Sequence, residues 1–178
     1  MDIKDMLKGV ITEKTVFVCI GSDKVLFDIF GPLCGTLLAE HGIPHYGEIG
    51  NPVNAINMYE KLHQIYDIDG IDECDIIAID ASMTSDDNKL NKLELRPCGV
   101  QPGAGMGRTF PKVGKHSLVM YTLSKYDLKT VISYYDRLGV EKGYEYDLAD
   151  DEKINIQAQL LVGLIAEVYN EVAGITNE

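Results

Sequence analysis

Apolar residues are distributed in two distinct patterns along this chain. Residues 16–20 and 76–79 are short, continuous apolar runs, which are typical of strands buried on both faces. Residues 118–123 form a third apolar run and predict another strand. In residues 150–173, apolar side chains recur at helical spacing and predict a long amphipathic helix. We interpret this stripe as core packing, with a dimer seam as the alternative; its members are Ile154, Leu161, Leu164, Ile165, Val168 and Val172.

Weaker patterns of apolar residues predict further elements in the segments between these. Residues 1–14 predict a short amphipathic lead-in helix. A helix that follows Pro32 should end at Gly42, which suits a helix C-terminus. Asn51 and Pro52 have the character of a cap and a first helical residue, so they predict a helix that runs to about residue 66.

The remaining segments complete the predicted order of elements. Residues 45–49 are a weak strand candidate, and residues 82–88 are polar and predict a loop. Residues 89–95 alternate between polar and apolar and predict a strand with one solvated face. Residues 127–138 predict a helix. The whole pattern favours one α/β domain over residues 1–178, with a mixed, mostly parallel sheet and helices on both faces.

Composition narrows the classes of function. The chain has 178 residues and a formal net charge of -12, which argues against nucleic-acid binding because phosphates require a basic surface. It contains neither a secretory leader nor an apolar run of ~20 residues, so we expect no membrane insertion and a cytoplasmic location. The four cysteines are far apart and lack metal-ligand spacing, so we expect reduced thiols.

Two aspartates are the candidate catalytic residues. Asp80 follows the most hydrophobic predicted strand, and Asp28 lies beyond the first strand. Neighbouring parallel strands would bring both to one edge of the sheet, where functional groups collect. Two nearby carboxyl groups cannot both ionise cheaply, so one can act as an acid and the other as a base. The alternative is that each is a structural cap that accepts backbone N–H bonds.

Residues 101–108 form a glycine-rich loop, QPGAGMGR. Gly103, Gly105 and Gly107 would allow close approach of the backbone to a substrate, and Arg108 could support an anionic group; a plain flexible loop is the alternative. Asp23, in the loop after the first strand, is a further candidate for substrate binding.

His116 is a candidate third group beside the two carboxyls, although a surface role is the simpler interpretation. The sequence gives no clear histidine ligand for a metal. We therefore predict no cofactor, with a divalent metal as an open alternative.

Several motifs, in order, resemble one family. The motifs I-G-S-D from Ile20, D-I-F-G-P-L-C-G-T from Asp28, G-N-P-V-N-A from Gly50, A-I-D-A around Asp80 and P-G-A-G-M-G from Pro102 are similar to the YyaC-type sporulation proteins, which are labelled spore proteases. The resemblance covers roughly residues 15–122.

That family is similar in turn to the germination protease of bacterial spores and to hydrogenase-maturation endopeptidases. The resemblance implies a phosphorylase/hydrolase-like three-layer fold, a protein or peptide substrate, and a forespore location. It also implies that Asp28 and Asp80 match the two catalytic aspartates of the germination protease. In hydrogenase-maturation enzymes the corresponding acids, together with a histidine, bind the nickel of the target protein.

Two hypotheses follow for function. The first is a sporulation-associated peptidase that uses Asp28 and Asp80. The second is a non-catalytic binding or regulatory protein that retains the fold. Leu26 and Phe27, where the family has small polar residues, favour the second hypothesis, whereas both aspartates favour the first. A homo-oligomer is compatible with either.

Overall fold

A computed structural model describes residues 2–103, 107, 109–127 and 151–175. The predicted helix over residues 127–138 lies almost wholly outside these residues. Five strands form one sheet in the order β2-β1-β3-β5-β4. They are β1 (Val16–Cys19), β2 (His45–Tyr46), β3 (Ile76–Thr84), β4 (Leu93–Arg96) and β5 (His116–Ser124). Only β4 runs antiparallel to its neighbour. The predicted mixed, mostly parallel sheet is therefore confirmed.

Helices cover both faces of the sheet. On one face lie α1 (Ile3–Lys8), α2 (Phe30–Glu40) and α4 (Asp151–Ala173), and on the other lies α3 (Met58–His63). Alternation along the strands supplies the two apolar surfaces: Phe17 and Cys19 of β1 face α2 and α4, whereas Val18 faces α3. The three-layer arrangement thus follows from runs that are apolar on both faces.

The stripe on α4 is core packing, as predicted. Ile154, Leu161, Ile165 and Val168 are buried against the sheet and α2. Val172, at the end of the stripe, is 40% exposed. In the part of the chain that the structure describes, no helix combines the length and the apolar character needed to cross a bilayer.

The predicted helix start at Asn51 is wrong. Asn51 instead forms an isolated bridge with Glu48, and Val53 is buried beside Ile20. The amide N–H of Gly21 donates to the carbonyl of Val53 at 2.9 Å. These tertiary contacts hold the segment in an extended form, so α3 begins only at Met58 and continues into a π-helical turn, Gln64–Ile68.

The predicted loop over residues 82–88 is wrong at its beginning. Strand β3 continues to Thr84 because β5 pairs with it along this whole length, with a register shift between Ser82 and Met83. Strand β1 ends at Cys19, which is opposite Ile79. The residues of β3 after Ile79 therefore extend beyond the end of β1.

Helix α2 packs on the sheet through backbone contacts that only glycine allows. A Cβ atom on Gly31 would lie 2.0 Å from the carbonyl oxygen of Ile20, and one on Gly35 would lie 1.7 Å from that of Gly47. A Cβ atom on Gly47 would in turn lie 2.1 Å from the carbonyl oxygen of Cys19. The beginning of α2 is therefore fixed against the carboxyl end of β1.

The four cysteines differ in accessibility, which gives a direct test of the core. Cys19 and Cys34 are buried and Cys74 and Cys98 are exposed; burial raises the pKa of the Cys19 and Cys34 thiols well above the usual value. Because the thiolate is the reactive form, we expect iodoacetamide to label only Cys74 and Cys98 in the native protein. Mass spectrometry before and after denaturation checks this. Rapid native labelling of Cys34 would contradict the packing of α2.

Candidate active site

Asp28 lies on a 3-10 turn, Leu26–Asp28, between β1 and α2. The hydroxyl of Thr122 on β5 donates to the carbonyl of Phe27, and the N–H of Ser22 donates to the carbonyl of Asp28 at 3.1 Å. The turn also packs against β3. The loop after β1 is therefore held across the carboxyl-terminal parts of β3 and β5, where it presents Asp28.

Leu26 and Phe27 have a structural role. Both pack against the apolar core under α2 and α4. Their apolar character supports the turn that carries Asp28. The departure from small polar residues at these positions is thus accounted for by core packing.

Asp80 lies within β3, not at its end. Its register partner is Val119 of β5, and on its other side β1 has ended one residue earlier. Alternation places Asp80 on the same face as Ala78, which is the face covered by α3. The end of β1 thus leaves the carboxyl beside the loop that carries Asp28. The N–H of Ala81 donates to this carboxyl, so part of the predicted capping role is also present.

The two carboxyls interact electrostatically. Burial raises the pKa of Asp28 to about 7, although a hydrogen bond from the N–H of Ser22 opposes this. Burial also raises the pKa of Asp80 well above its usual value of 3.8, and the charge of Asp28 raises it further. The structure thus brings Asp28 and Asp80 together in an environment that disfavours two charges.

A third charged group, Arg96, lies close enough to lower the pKa of Asp80. Its Nε donates to Oε2 of Glu94 at 3.1 Å, and its Nη2 donates to the hydroxyl of Tyr121 at 2.6 Å. Tyr121 also donates to Glu94, and this bond holds the pKa of Glu94 below its usual range. Sequence reasoning did not find Arg96. The alternation of residues 89–95 placed Glu94 on a polar face, but only the pairing with β5 shows that this face adjoins Asp80.

The structure gives less information about the predicted substrate-binding residues than about the two aspartates. Oδ2 of Asp23 accepts a hydrogen bond from the N–H of Gly50 at 2.9 Å, which ties the loop after β1 to the β2–α3 connection. Gly103 and Gly107 have positive φ values of 75° and 70°, so a side chain at either position would be strained. Gly105 and Arg108 lie outside the described residues. A role in substrate binding stays a prediction for all five.

His116 begins β5 opposite Ile77, three residues before the partner of Asp80. Alternation directs it to the opposite face of the sheet from Asp80, so the structure does not support His116 as a partner of the two carboxyls. Among residues 2–103, 107, 109–127 and 151–175, no three His, Cys, Asp or Glu side chains are grouped as a metal site.

Comparison with known proteins gives two matches. The model of the family described as "Protein of unknown function (DUF1256)" matches residues 1–134. A protein of Bacillus subtilis (strain 168), described as "Uncharacterized protein YyaC", is 31% identical over 102 residues. This match covers 56% of the present chain and 48% of the relative, so it spans about half the length of the relative. The resemblance to YyaC-type proteins found in the motifs is therefore confirmed.

Proposed function

Because the chain belongs to the DUF1256 family, a family of proteins of unknown function, its activity has to be inferred from its site, and we propose that it is a peptidase that uses Asp28 and Asp80 to hydrolyse a protein substrate. The observation that carries the proposal is the electrostatic coupling of two half-buried carboxyls near the end of β1. The motif resemblance to the germination protease supports it and implies a sporulation-associated substrate.

The directions of the two pKa shifts support different roles for the two groups. Asp28 has a pKa of about 7, so near neutral pH a large fraction of it is ionised and can act as a base. Its charge makes ionisation of Asp80 less favourable, so Asp80 keeps its proton and can act as an acid. Opposite protonation states are what a two-carboxyl mechanism requires.

The proposed reaction adds water to a peptide bond without a covalent intermediate. Asp28 takes a proton from water as the water oxygen bonds to the carbonyl carbon. Asp80 gives its proton to the amide nitrogen as the C–N bond breaks. The products are a carboxyl terminus and an amine, and exchange with solvent returns Asp28 to the ionised form and Asp80 to the protonated form.

Cleavage can be tested before the substrate is identified. The protein is incubated near pH 7 with a denatured protein extract, and new amino termini are labelled and identified by mass spectrometry. We expect a defined set of new termini with the parent and none above background with Asp28→Asn or Asp80→Asn, because an amide can neither take nor give the proton.

A matched control separates chemistry from general effects of the substitution. Asp87→Asn makes the same chemical change at an exposed position, so it should leave the set of termini unchanged. If the parent yields no new termini, or if Asp28→Asn yields the same set as the parent, the peptidase proposal is wrong.

The second candidate is a binding or regulatory protein that retains the peptidase fold. The hydrogen bond from Ala81 to the carboxyl of Asp80 favours it, because a carboxyl that accepts backbone bonds can be purely structural. Under this alternative both Asn variants lose stability and the parent cleaves nothing. The stability measurements in the Discussion therefore distinguish the two candidates independently of any substrate.

A further inference from the structure

Four side chains are grouped at the polar face of β4, beside the two aspartates. Glu94 and Arg96 belong to β4, Tyr121 to β5, and Lys89 to the turn before β4. Glu94 pairs with Val119, which pairs with Asp80 on its other side. Residues opposite one another in register share a face of the sheet. Asp80 and Glu94 therefore lie in one row, separated by a single strand.

The Arg96 side chain lies across this row. Its backbone pairs with Ser117, which precedes the row by two residues on β5, whereas its guanidinium bonds to Tyr121, which follows the row by two residues. The guanidinium must therefore lie near the level of Asp80. It is also positioned 5.5 Å from the centre of the Tyr121 ring, at cation–π distance.

Arg96 is held rigidly by its neighbours. Glu94 and Tyr121 accept one hydrogen bond each from it, and these two groups are bonded to one another. Arginine has five N–H donors, so these two bonds leave donors available. A guanidinium fixed by a carboxylate and a phenol is a preorganised positive charge, which costs little to orient when a negative charge forms nearby.

We propose that Arg96 is a positioning residue of the candidate active site, and that its charge stabilises the carboxylate that Asp80 becomes when it gives up its proton. The role in turnover rests on the proposed function, whereas the effect on Asp80 does not. When Asp80 protonates the departing amine, it becomes an anion in an enclosed site beside Asp28. A fixed cation makes this step easier, because an uncompensated buried charge is costly.

The two charged groups that act on Asp80 come from two elements. Asp28 faces it from the 3-10 turn and disfavours its ionisation, whereas Arg96 faces it from β4 and favours it. Glu94 and Tyr121 act through their bonds to Arg96. Lys89 lies 3.6 Å from Glu94 and 5.3 Å from the centre of the Tyr121 ring, but it is not among the charges that shift Asp80.

The test follows the proton on Asp80 directly. Aspartate side chains are labelled with carbon-13, the Asp80 signal is identified by its loss in Asp80→Asn, and the carboxyl is titrated by NMR. We expect Arg96→Gln to raise the pKa of Asp80 by about one unit. Arg96→Lys should leave it nearer to the parent value because the charge is retained. Glu94→Gln should lower the pKa of Asp80, because a carboxylate then no longer offsets the positive charge of Arg96.

Lys89→Gln is the matched control. It removes one positive charge from the same group of side chains, and it should leave the Asp80 titration unchanged. If Arg96→Gln and Lys89→Gln give the same titration curve as the parent, the inference is wrong. If Arg96→Gln does not fold, the opposite shift in Glu94→Gln tests the same charge, and an unshifted curve there overturns the inference.

A cleavage assay supplies a second measurement once a substrate is identified. Arg96→Gln should lower kcat about tenfold with little change in KM, and should move the alkaline limb of the pH profile upward together with the NMR titration. An inactive parent would overturn the peptidase proposal, while the NMR result would still decide the effect of Arg96 on Asp80. A normal kcat in a variant with a shifted titration would overturn the role of Arg96 in turnover.

Discussion

Asp28→Asn should make the protein more stable above neutral pH and at the same time abolish its activity. The native carboxyl is half-buried, and this burial raises its pKa to about 7, so ionisation at higher pH costs folding free energy. Asparagine keeps the shape and leaves in place the bond from the Ser22 N–H to the backbone carbonyl of residue 28, but it carries no charge. Loss of a general base typically costs ~10²–10⁴-fold in rate, so stability and activity should change in opposite directions.

The gain in stability should depend on pH. The usual pKa of the group is 3.8 and its native value is about 7, so between these values the native state binds a proton that the unfolded state has released. The stability that protonation confers is complete below the lower value and is lost as the pH rises through the higher one. The advantage of Asp28→Asn should therefore grow from about pH 4 to pH 8. One pKa unit corresponds to ~1.4 kcal/mol, and solvent screening of a half-buried carboxyl reduces the effect, so we expect a final gain on the order of 1–3 kcal/mol.

Urea unfolding at about pH 4.5, 6 and 8 measures this difference. Asp87→Asn, at an exposed position, should follow the parent at each pH. If Asp28→Asn is instead less stable than the parent at every pH, by on the order of 1 kcal/mol, then Asp28 is a structural cap. That result would support the non-catalytic alternative.

Gly31→Ala should strongly destabilise the protein. The new Cβ atom would lie 2.0 Å from the carbonyl oxygen of Ile20 and 2.8 Å from its carbonyl carbon. Both neighbours are backbone atoms, so no side chain can turn away, and α2 would have to shift from the sheet. We expect a loss of about 3 kcal/mol or more in the free energy of unfolding, together with loss of activity because α2 directly follows the turn that carries Asp28.

Gly163→Ala provides the matched control. Gly163 is an exposed residue in α4, and an added Cβ atom would meet nothing within 4 Å. The same chemical change should therefore stabilise the protein by ~0.5–1 kcal/mol, because alanine favours the helix. Chemical denaturation of both variants measures the contrast. Equal stability of Gly31→Ala and the parent would show that α2 does not contact Ile20 as described.

The elements that sequence predicted well are those whose pattern is long or complete. The stripe of α4 extends over about five turns, so its buried face is defined by periodicity alone. The apolar run of β1 is uninterrupted and requires cover on both faces. Asp28 and Asp80 were predicted to lie near one another because the ends of adjacent parallel strands meet at one edge of a sheet, and the charge of Asp28 does act on Asp80. A catalytic role for the two groups stays a prediction.

The features that sequence did not reveal depend on partners far away in the chain. Asn51 and Pro52 have local helix-start chemistry, but pairing of Val53 with Ile20 overrides it. Ser82 is polar, yet it lies in a strand because β5 supplies a partner. Arg96 could not be assigned to the site, since its proximity to Asp80 depends on the register of β4, β5 and β3 together. Local propensity contains none of this information.

The glycine contacts of α2 also determine how the protein opens. Gly35 packs directly against the backbone of Gly47, and Gly47 packs against the backbone of Cys19. The main chains of β1, α2 and the residue after β2 are therefore in direct contact. Such a contact has no flexible side chain that could yield while the rest stays in place. The three elements should therefore unfold as one cooperative unit, with similar protection of their amides from hydrogen exchange. The turn that carries Asp28 lies between β1 and α2, so it should keep its position during small fluctuations and move only when the whole unit opens.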